Sequence, residues 1–159
     1  MKSKPVSEYR TKVGDRAPDF TLLSQFNKLV GLEDLLATKN LVLYFYPADN
    51  SPICTLQARA LRDSYRAFTE AGADVVGISS NSAGSHARFA ARHHLPFILL
   101  SDRDGEVRKR YGVPNTRGSM PGRATYVIDR AGRVRHIFSS QFNAARHVNE
   151  ALAVLRRLI

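Results

Sequence analysis

A strongly apolar run at residues 41–46, ended at once by a proline, constrains the fold of this chain more than any other stretch. The run consists of Leu, Val, Tyr and Phe residues, and it is typical of a strand that is buried on both faces of a sheet. A loop rich in Pro, Asp, Asn and Ser follows, and helical spacing begins near Thr55. A buried strand that leads into a helix predicts a sheet with helices packed against it.

The rest of the chain continues this alternation and then departs from it. A helix is predicted over residues 55–71, with Gly72 as its stop, and a second buried strand over 74–79. The hairpin formed by strands 123–128 and 134–138 has Gly132 placed for a positive φ. Further elements are predicted at 26–36 (strand and helical turn), up to His93 (helix, capped by Ser82 or Ser85), at 95–100 (strand), at 106–111 (helix) and at 144–158 (amphipathic helix).

The resulting order, β-α-β-α-β-(α)-β-β-α, predicts an α/β protein with thioredoxin-like topology. In such a fold a mixed central sheet is flanked by helices on both faces. At 159 residues, with 43% hydrophobic and 24% charged residues, the chain is large enough for one compact domain. We assign this domain to residues 13–159, after a polar N-terminal extension at residues 1–12.

Three features bear on where the protein functions. No stretch is apolar over the length needed to span a bilayer, so we expect no membrane association. The N-terminus lacks an apolar segment followed by a cleavage site. A single cysteine excludes an internal disulfide and is compatible with a reducing compartment. Together these features predict a cytoplasmic protein.

The formal charge of +10 raises the question of nucleic-acid binding. The basic residues are spread along the chain, and the densest group, from Arg103 to Arg110, is interrupted by Asp104 and Glu106. No array of aromatic residues among them forms a base-stacking platform. We interpret the charge as solvated surface and expect no specific nucleic-acid partner.

Cys54 is the only cysteine, and the predicted helix places it in or just before the first turn. Backbone N–H groups in that turn have no intrahelical partner, and the helix dipole is positive there. Both effects favour the thiolate over the thiol. Cys54 is therefore a candidate nucleophile.

The residues around Cys54 carry a resemblance to a known family. The pattern Pro47-x-x-x-Ser51-x-x-Cys54 resembles the active-site pattern of peroxiredoxins. The wider stretch 44–58 is similar to the bacterioferritin comigratory protein, or peroxiredoxin Q, subfamily. Further matches follow in the family's order at residues 14–20, 99–102, 111–113 and 123–129. The resemblance covers nearly the whole chain from residue 13.

The resemblance implies a thiol-dependent peroxidase whose substrates are hydrogen peroxide and small organic hydroperoxides. It assigns Cys54 as the nucleophile that becomes a sulfenic acid, and Arg123 as the positive charge beside it. Ser51 matches a hydroxyl that accepts from the bound peroxide, and Pro47 would shield the sulfur from water. Gln57 is either part of this site or an ordinary residue of the first helical turn. No cofactor is implied.

The chain departs from the subfamily at one position. Many members have a second, resolving cysteine five residues after the first, where this chain has Arg59. The resemblance therefore implies a one-cysteine enzyme whose sulfenic acid is reduced by an external thiol: a small-molecule thiol, glutaredoxin or thioredoxin. Oxidation to sulfinic acid would be a liability at high peroxide. The subfamily resemblance also favours a monomer or weak homodimer.

Alternative functions remain open at this stage. A thioredoxin-like thiol–disulfide exchanger needs a C-x-x-C pair, and Ser51 stands where its first cysteine would be. A non-catalytic peroxide sensor or thiol–disulfide partner protein would need the same reactive Cys54. A basic nucleic-acid-associated protein would bind with an affinity that falls steeply with salt.

The histidines do not predict a metal site. His86 and His93 are two helical turns apart, and neither they nor His94 have a cysteine or carboxylate at a recognisable ligand spacing. His136 and His147 are interpreted as surface residues. We expect no bound metal.

Overall fold

The computed structural model of the chain describes residues 11–113, 115–116, 120–140 and 143–158. Except for residues 11 and 12, the predicted N-terminal extension lies outside this part of the chain. The strands are β1 (Thr21–Ser24), β2 (Leu29–Gly31), β3 (Asn40–Phe45), β4 (Ala73–Ser79), β5 (Ile98–Ser101), β6 (Asn115–Thr116), β7 (Met120–Pro121), β8 (Ala124–Ile128) and β9 (Val134–Ser139). The helices are α1 (Leu32–Leu36), α2 (Pro52–Asp63), α3 (Tyr65–Glu70), α4 (Ala83–His93), α5 (Glu106–Tyr111) and α6 (Ala144–Arg157).

Seven strands form one sheet in the order β2-β1-β5-β4-β3-β8-β9, and β6 pairs with β7 separately. Strands β3, β4 and β5 are parallel, as expected for strands joined by helical crossovers, whereas β8 and β9 continue the sheet antiparallel. The mixed sheet and the thioredoxin-like fold predicted from the sequence are confirmed.

The central strand β3 supplies both cores. Because side chains alternate along a strand, Val42 and Tyr44 lie on one face and Leu43 and Phe45 on the other. The first face packs against α2, α3, α4 and α6, and Cys54 belongs to its cluster. The second face packs against α1 and α5. Helices therefore cover both faces, which explains the uninterrupted apolar run at 41–46.

Two predicted elements differ from the structure. The helix expected over 55–71 begins earlier, at Pro52, and is divided into α2 and α3 by Ser64, whose backbone (φ −100°, ψ 3°) leaves helical geometry. The strand expected over 95–100 begins only at Ile98, because Pro96 has no N–H to donate to a strand ladder. The short β6–β7 pair was not predicted.

Local signals in the sequence are confirmed at two turns. Gly132, between β8 and β9, adopts φ +86°, a region that glycine enters without steric cost. Ser82 is the N-cap of α4, and its hydroxyl accepts from the Ser85 N–H over 3.1 Å. None of the described helices combines the length and apolarity needed to cross a bilayer.

Candidate active site

The register of the sheet brings two distant stretches to one edge. Strand β3 ends at Phe45, which pairs with Ala124 at the start of the antiparallel β8. The loop that follows β3 and the residue that precedes β8, Arg123, therefore meet at this edge. The two stretches are far apart in the sequence, but the antiparallel pairing of β3 and β8 brings them close together in space.

Residues 47–51, here called the cysteine loop, turn the chain from β3 into α2. Asn50 adopts φ +65°, a left-handed conformation that Asn tolerates better than most residues. Ser51 is the extended N-cap (φ −70°, ψ 147°), and Pro52 occupies the first helical position, where a missing N–H costs nothing. The helix starts with the bond from the Thr55 N–H to the Ser51 carbonyl, 2.9 Å. Cys54 is consequently in the first turn, as the sequence predicted.

Arg123 contacts the cysteine directly. Its Nη2 donates to Cys54 Sγ over 3.2 Å, and its Nη1 donates to Gln57 Oε1. Only 1% of Cys54 and 3% of Arg123 is exposed, and Gln57 is fully buried. Of the two interpretations of Gln57, the structure therefore favours a place in the site: the residue one turn after the cysteine fixes the guanidinium that faces the sulfur. A buried cation at this distance stabilises a thiolate.

Three buried polar groups around this contact have further capacity to donate. Among the described residues, no hydrogen-bond partner reaches Arg123 Nε, Gln57 Nε2 or the Tyr44 hydroxyl. Unpaired buried donors are rare because they cost desolvation free energy. A small oxygen-containing ligand is the kind of molecule that such donors bind.

Tyr44 is held in this cluster by its neighbour in the sheet. It pairs with Gly77 of β4, and a Cβ at that glycine would lie 2.7 Å from Tyr44 Cζ. Glycine at 77 therefore makes room for the ring, which stacks on Tyr46 at 5.2 Å. Burial raises the pKa of Tyr44 well above its ordinary value; Cys54 and Asp49 raise it further, against the opposing charge of Arg123. The hydroxyl keeps its proton.

Ser51 and Pro47 lie at opposite ends of the cysteine loop. The Ser51 hydroxyl donates to the Ala48 carbonyl over 3.3 Å, which leaves its oxygen able to accept. Pro47 is half-buried and lines a cavity of about 160 Å³ together with Asp102 and Arg103. Both residues are close in sequence to Cys54, and the roles that the resemblance implies for them stay predictions.

Two buried histidines were not recognised as part of this region. His147 was predicted at the surface, and this is wrong: only 1% of it is exposed. Its Nδ1 meets Thr125 Oγ1 at 2.7 Å and its Nε2 meets the Ser140 carbonyl at 2.8 Å. A signal was available, because His147 shares the apolar stripe of α6 with Val148 and Ala151. His136, by contrast, is partly exposed beside Glu150.

His86 is fully buried and contacts the cysteine loop. Its Nδ1 lies 2.8 Å from Asp49 Oδ2. It falls at helical spacing with the buried Phe89 and Ala90, which could have identified it as an inward residue. Arg59, at the position of the subfamily's resolving cysteine, is exposed.

Comparisons with known proteins show what the chain is similar to. A family model described as "AhpC/TSA family" matches residues 13–137. The chain is 48% identical over 146 residues to the chloroplastic peroxiredoxin Q of Triticum aestivum, covering 91% of this chain and 67% of that protein. The crystal structure of peroxidoxin BcpB from Mycobacterium tuberculosis is 37% identical with a TM-score of 0.88, over 94% of this chain and 99% of that one. The bacterioferritin comigratory protein of Xanthomonas campestris is 26% identical with a TM-score of 0.80, over 87% and 91% of the two chains.

Proposed function

The chain belongs to the AhpC/TSA family and is a thiol-dependent peroxidase like its peroxiredoxin Q relatives, and from this premise we propose that Cys54 is its peroxidatic nucleophile, assisted by Arg123, Ser51 and Pro47. Its partners are a hydroperoxide substrate and a thiol reductant. The single observation that supports the assignment most is the 3.2 Å contact between Arg123 Nη2 and Cys54 Sγ, both buried.

The oxidative step follows from this arrangement. The Cys54 thiolate attacks one oxygen of the hydroperoxide, the S–O bond forms as the O–O bond breaks, and the departing oxygen takes up a proton to leave as water or an alcohol. Cys54 becomes a sulfenic acid. Negative charge moves from the sulfur to the departing oxygen, and the Arg123 guanidinium, a permanent cation, can donate to both. The Ser51 oxygen accepts the hydrogen of the incoming hydroperoxide and so orients it.

The reductive step needs a thiol from outside the chain. The sequence has one cysteine, so no second thiol of the same chain can displace the sulfenic oxygen. An external thiol condenses with the sulfenic acid and releases water, and a second thiolate attacks the mixed disulfide to regenerate the Cys54 thiolate. We propose thioredoxin, glutaredoxin or a small-molecule thiol as the reductant, with sulfinic acid forming when peroxide exceeds it.

The burial of Cys54 supports small substrates. Only 1% of the residue is exposed, so hydrogen peroxide and small organic hydroperoxides suit the site. The Xanthomonas campestris relative has alkyl peroxide reduction activity, which supports the organic substrates. The alternative of a non-catalytic sensor or thiol–disulfide partner on the same fold is not favoured.

Two further expectations stay predictions. A monomer or weak homodimer is proposed as the oligomeric state. The cytoplasmic location expected from the sequence is a prediction as well, since the wheat relative is a chloroplast protein.

The proposed cycle is tested by mass spectrometry and turnover. Pre-reduced protein is mixed with one equivalent of hydrogen peroxide, and we expect one oxygen atom to be added at Cys54 and removed again by excess dithiothreitol. Peroxide consumption should then continue with dithiothreitol, thioredoxin or glutaredoxin present, and cease in Cys54→Ser. Oxygen added elsewhere in the chain, or turnover that persists in Cys54→Ser, would contradict the assignment.

A further inference from the structure

Asp49 and His86, separated by 37 residues in sequence, form an ion pair that the peroxidase chemistry does not use. Both side chains are fully buried, and 2.8 Å separates Asp49 Oδ2 from His86 Nδ1. Asp49 is the central residue of the cysteine loop, between Pro47 and Ser51. The pair therefore connects the loop to helix α4, which carries His86.

Hydrogen bonding on both sides of the imidazole defines its charge. His86 Nε2 lies 3.0 Å from the carbonyl oxygen of Leu100 in β5, and its Nδ1 faces the Asp49 carboxylate. A carbonyl and a carboxylate can only accept, so each ring nitrogen carries a hydrogen and the ring is a cation. Asp49 is ionised: burial raises its pKa, but hydrogen bonds from His86 and Tyr46 outweigh burial and bring the pKa below its ordinary value.

The carboxylate of Asp49 is held by three donors in all. The Tyr46 hydroxyl donates to Oδ1 over 2.6 Å, and the Ser85 hydroxyl donates to Oδ2 over 2.7 Å beside His86. These donors come from Tyr46, which directly follows β3, and from the first turn of α4. The backbone N–H of Asp49 separately donates to Asn81 Oδ1 over 3.0 Å.

We propose that Asp49 and His86 are positioning residues for the peroxide reaction, whose buried ion pair holds the cysteine loop in the conformation that places Cys54, in the first turn of α2, against Arg123. The proposal rests on the proposed function of Cys54. It adds that the geometry of the oxidative step depends on a carboxylate and an imidazolium that touch neither sulfur nor peroxide. Small displacements of reacting groups are costly: a misplacement of about 1 Å can slow a reaction about 100-fold.

Asp49→Asn removes the negative charge with little change in the shape of the side chain. The hydrogen bond from the backbone N–H of residue 49 to Asn81 Oδ1 does not involve the carboxylate and should remain. Asp74→Asn is the matched control: Asp74 accepts from the Tyr65 hydroxyl over 3.0 Å at the opposite end of β4 from the cysteine loop. We expect Asp49→Asn to slow single-turnover oxidation of Cys54 by hydrogen peroxide about 10-fold to 100-fold. Asp74→Asn should leave the rate unchanged. An Asp49→Asn rate equal to that of the control would overturn the proposal.

Two separate measurements test the coupling of Asp49 with His86 and the conformation of the cysteine loop. In a double-mutant cycle, Asp49→Asn/His86→Asn should be no slower than either single variant, because removing both charges leaves neither one unpaired in the interior. Losses that multiply would show independent structural damage and contradict the proposal. Amide hydrogen exchange should accelerate at residues 48–56 in Asp49→Asn but not in Asp74→Asn. This exchange readout needs no peroxide chemistry, so failure of the proposed function and failure of the ion-pair proposal give different results.

His86→Asn is the second variant if Asp49→Asn does not fold. It removes the other member of the ion pair and leaves the hydrogen bonds from Tyr46 and Ser85 to the Asp49 carboxylate in place. We expect oxidation to slow about 10-fold to 100-fold, as for Asp49→Asn. Folded His86→Asn that oxidises at the wild-type rate would overturn the proposal.

Discussion

The cysteine loop and the start of strand β8 meet at the candidate site around Cys54, and each is anchored by a buried histidine, but the two anchors differ in charge. On the loop side, His86 faces the Asp49 carboxylate and donates from both nitrogens. On the strand side, His147 meets the Thr125 hydroxyl at 2.7 Å and the Ser140 carbonyl at 2.8 Å. The carbonyl can only accept, so Nε2 donates to it, and the hydroxyl can donate to an unprotonated Nδ1.

The difference follows from what lies beside each ring. Burial lowers the pKa of His147; the Ser140 carbonyl opposes this effect and the nearby charge of Arg123 adds to it. A neutral ring leaves Arg123 as the cation that faces Cys54 on this side. The loop side has a carboxylate, and a cation can be buried there because it is paired. The same residue type thus serves two electrostatic settings.

The largest predicted effect is on stability: breaking the buried histidine–carboxylate pair should cost more unfolding free energy than breaking a partly exposed one. His86→Leu leaves the ionised Asp49 without its cation, and we expect the free energy of unfolding to fall by about 3–5 kcal/mol. His136→Leu breaks the partly exposed contact with Glu150 and should cost about 1 kcal/mol or less. Chemical denaturation of both variants measures the contrast. Equal losses would mean that burial does not distinguish the two pairs.

A smaller effect is a difference between the two sides in how their contribution to folding stability depends on pH. The pKa of His147 is lowered from 6.5 in the folded state, so below pH 6.5 the unfolded chain binds a proton that the folded chain does not. Stability conferred by the neutral ring is therefore lost as the pH falls through 6.5, by at most about 1.4 kcal/mol per pH unit. The pKa of Asp49 is lowered from 3.8, so the contribution of its charge is lost only as the pH falls below that value.

His147→Gln provides the measurement. The difference in unfolding free energy between wild type and this variant should shrink by about 1 kcal/mol between about pH 7.5 and pH 5.5. A pH-independent difference for His147→Gln would show that the ring is not held neutral.

The sequence was enough to propose a candidate site around Cys54, but it did not predict the contacts that support this site. The spacing of Pro47, Ser51 and Cys54 is local, and the resemblance added Arg123 from a distant strand. The role of Gln57 could not be assigned from the sequence, because it depends on the position of Arg123 Nη1 in the folded chain. Strand and helix order was predictable since each element carries its own hydrophobic period.

The two anchors depend on tertiary packing. Whether a histidine on an amphipathic helix is buried follows from which partner faces it, and Asp49 and Thr125 reach their histidines across 37 and 22 residues. The division of the helix at Ser64 is of the same kind, because no glycine or proline marks the break. A local sequence pattern is therefore least informative about residues whose partners are distant in the sequence.

The most direct test of the central claim is a stopped-flow measurement of Cys54 oxidation by hydrogen peroxide in pre-reduced protein. Arg123→Met removes the guanidinium that contacts the sulfur, and Arg59→Met, on the exposed side of α2, removes a cation without that contact. We predict fast oxidation in wild type and Arg59→Met, a loss of about 100-fold or more in Arg123→Met, and none in Cys54→Ser. Wild-type oxidation no faster than that of a free thiol at the same pH would contradict the account.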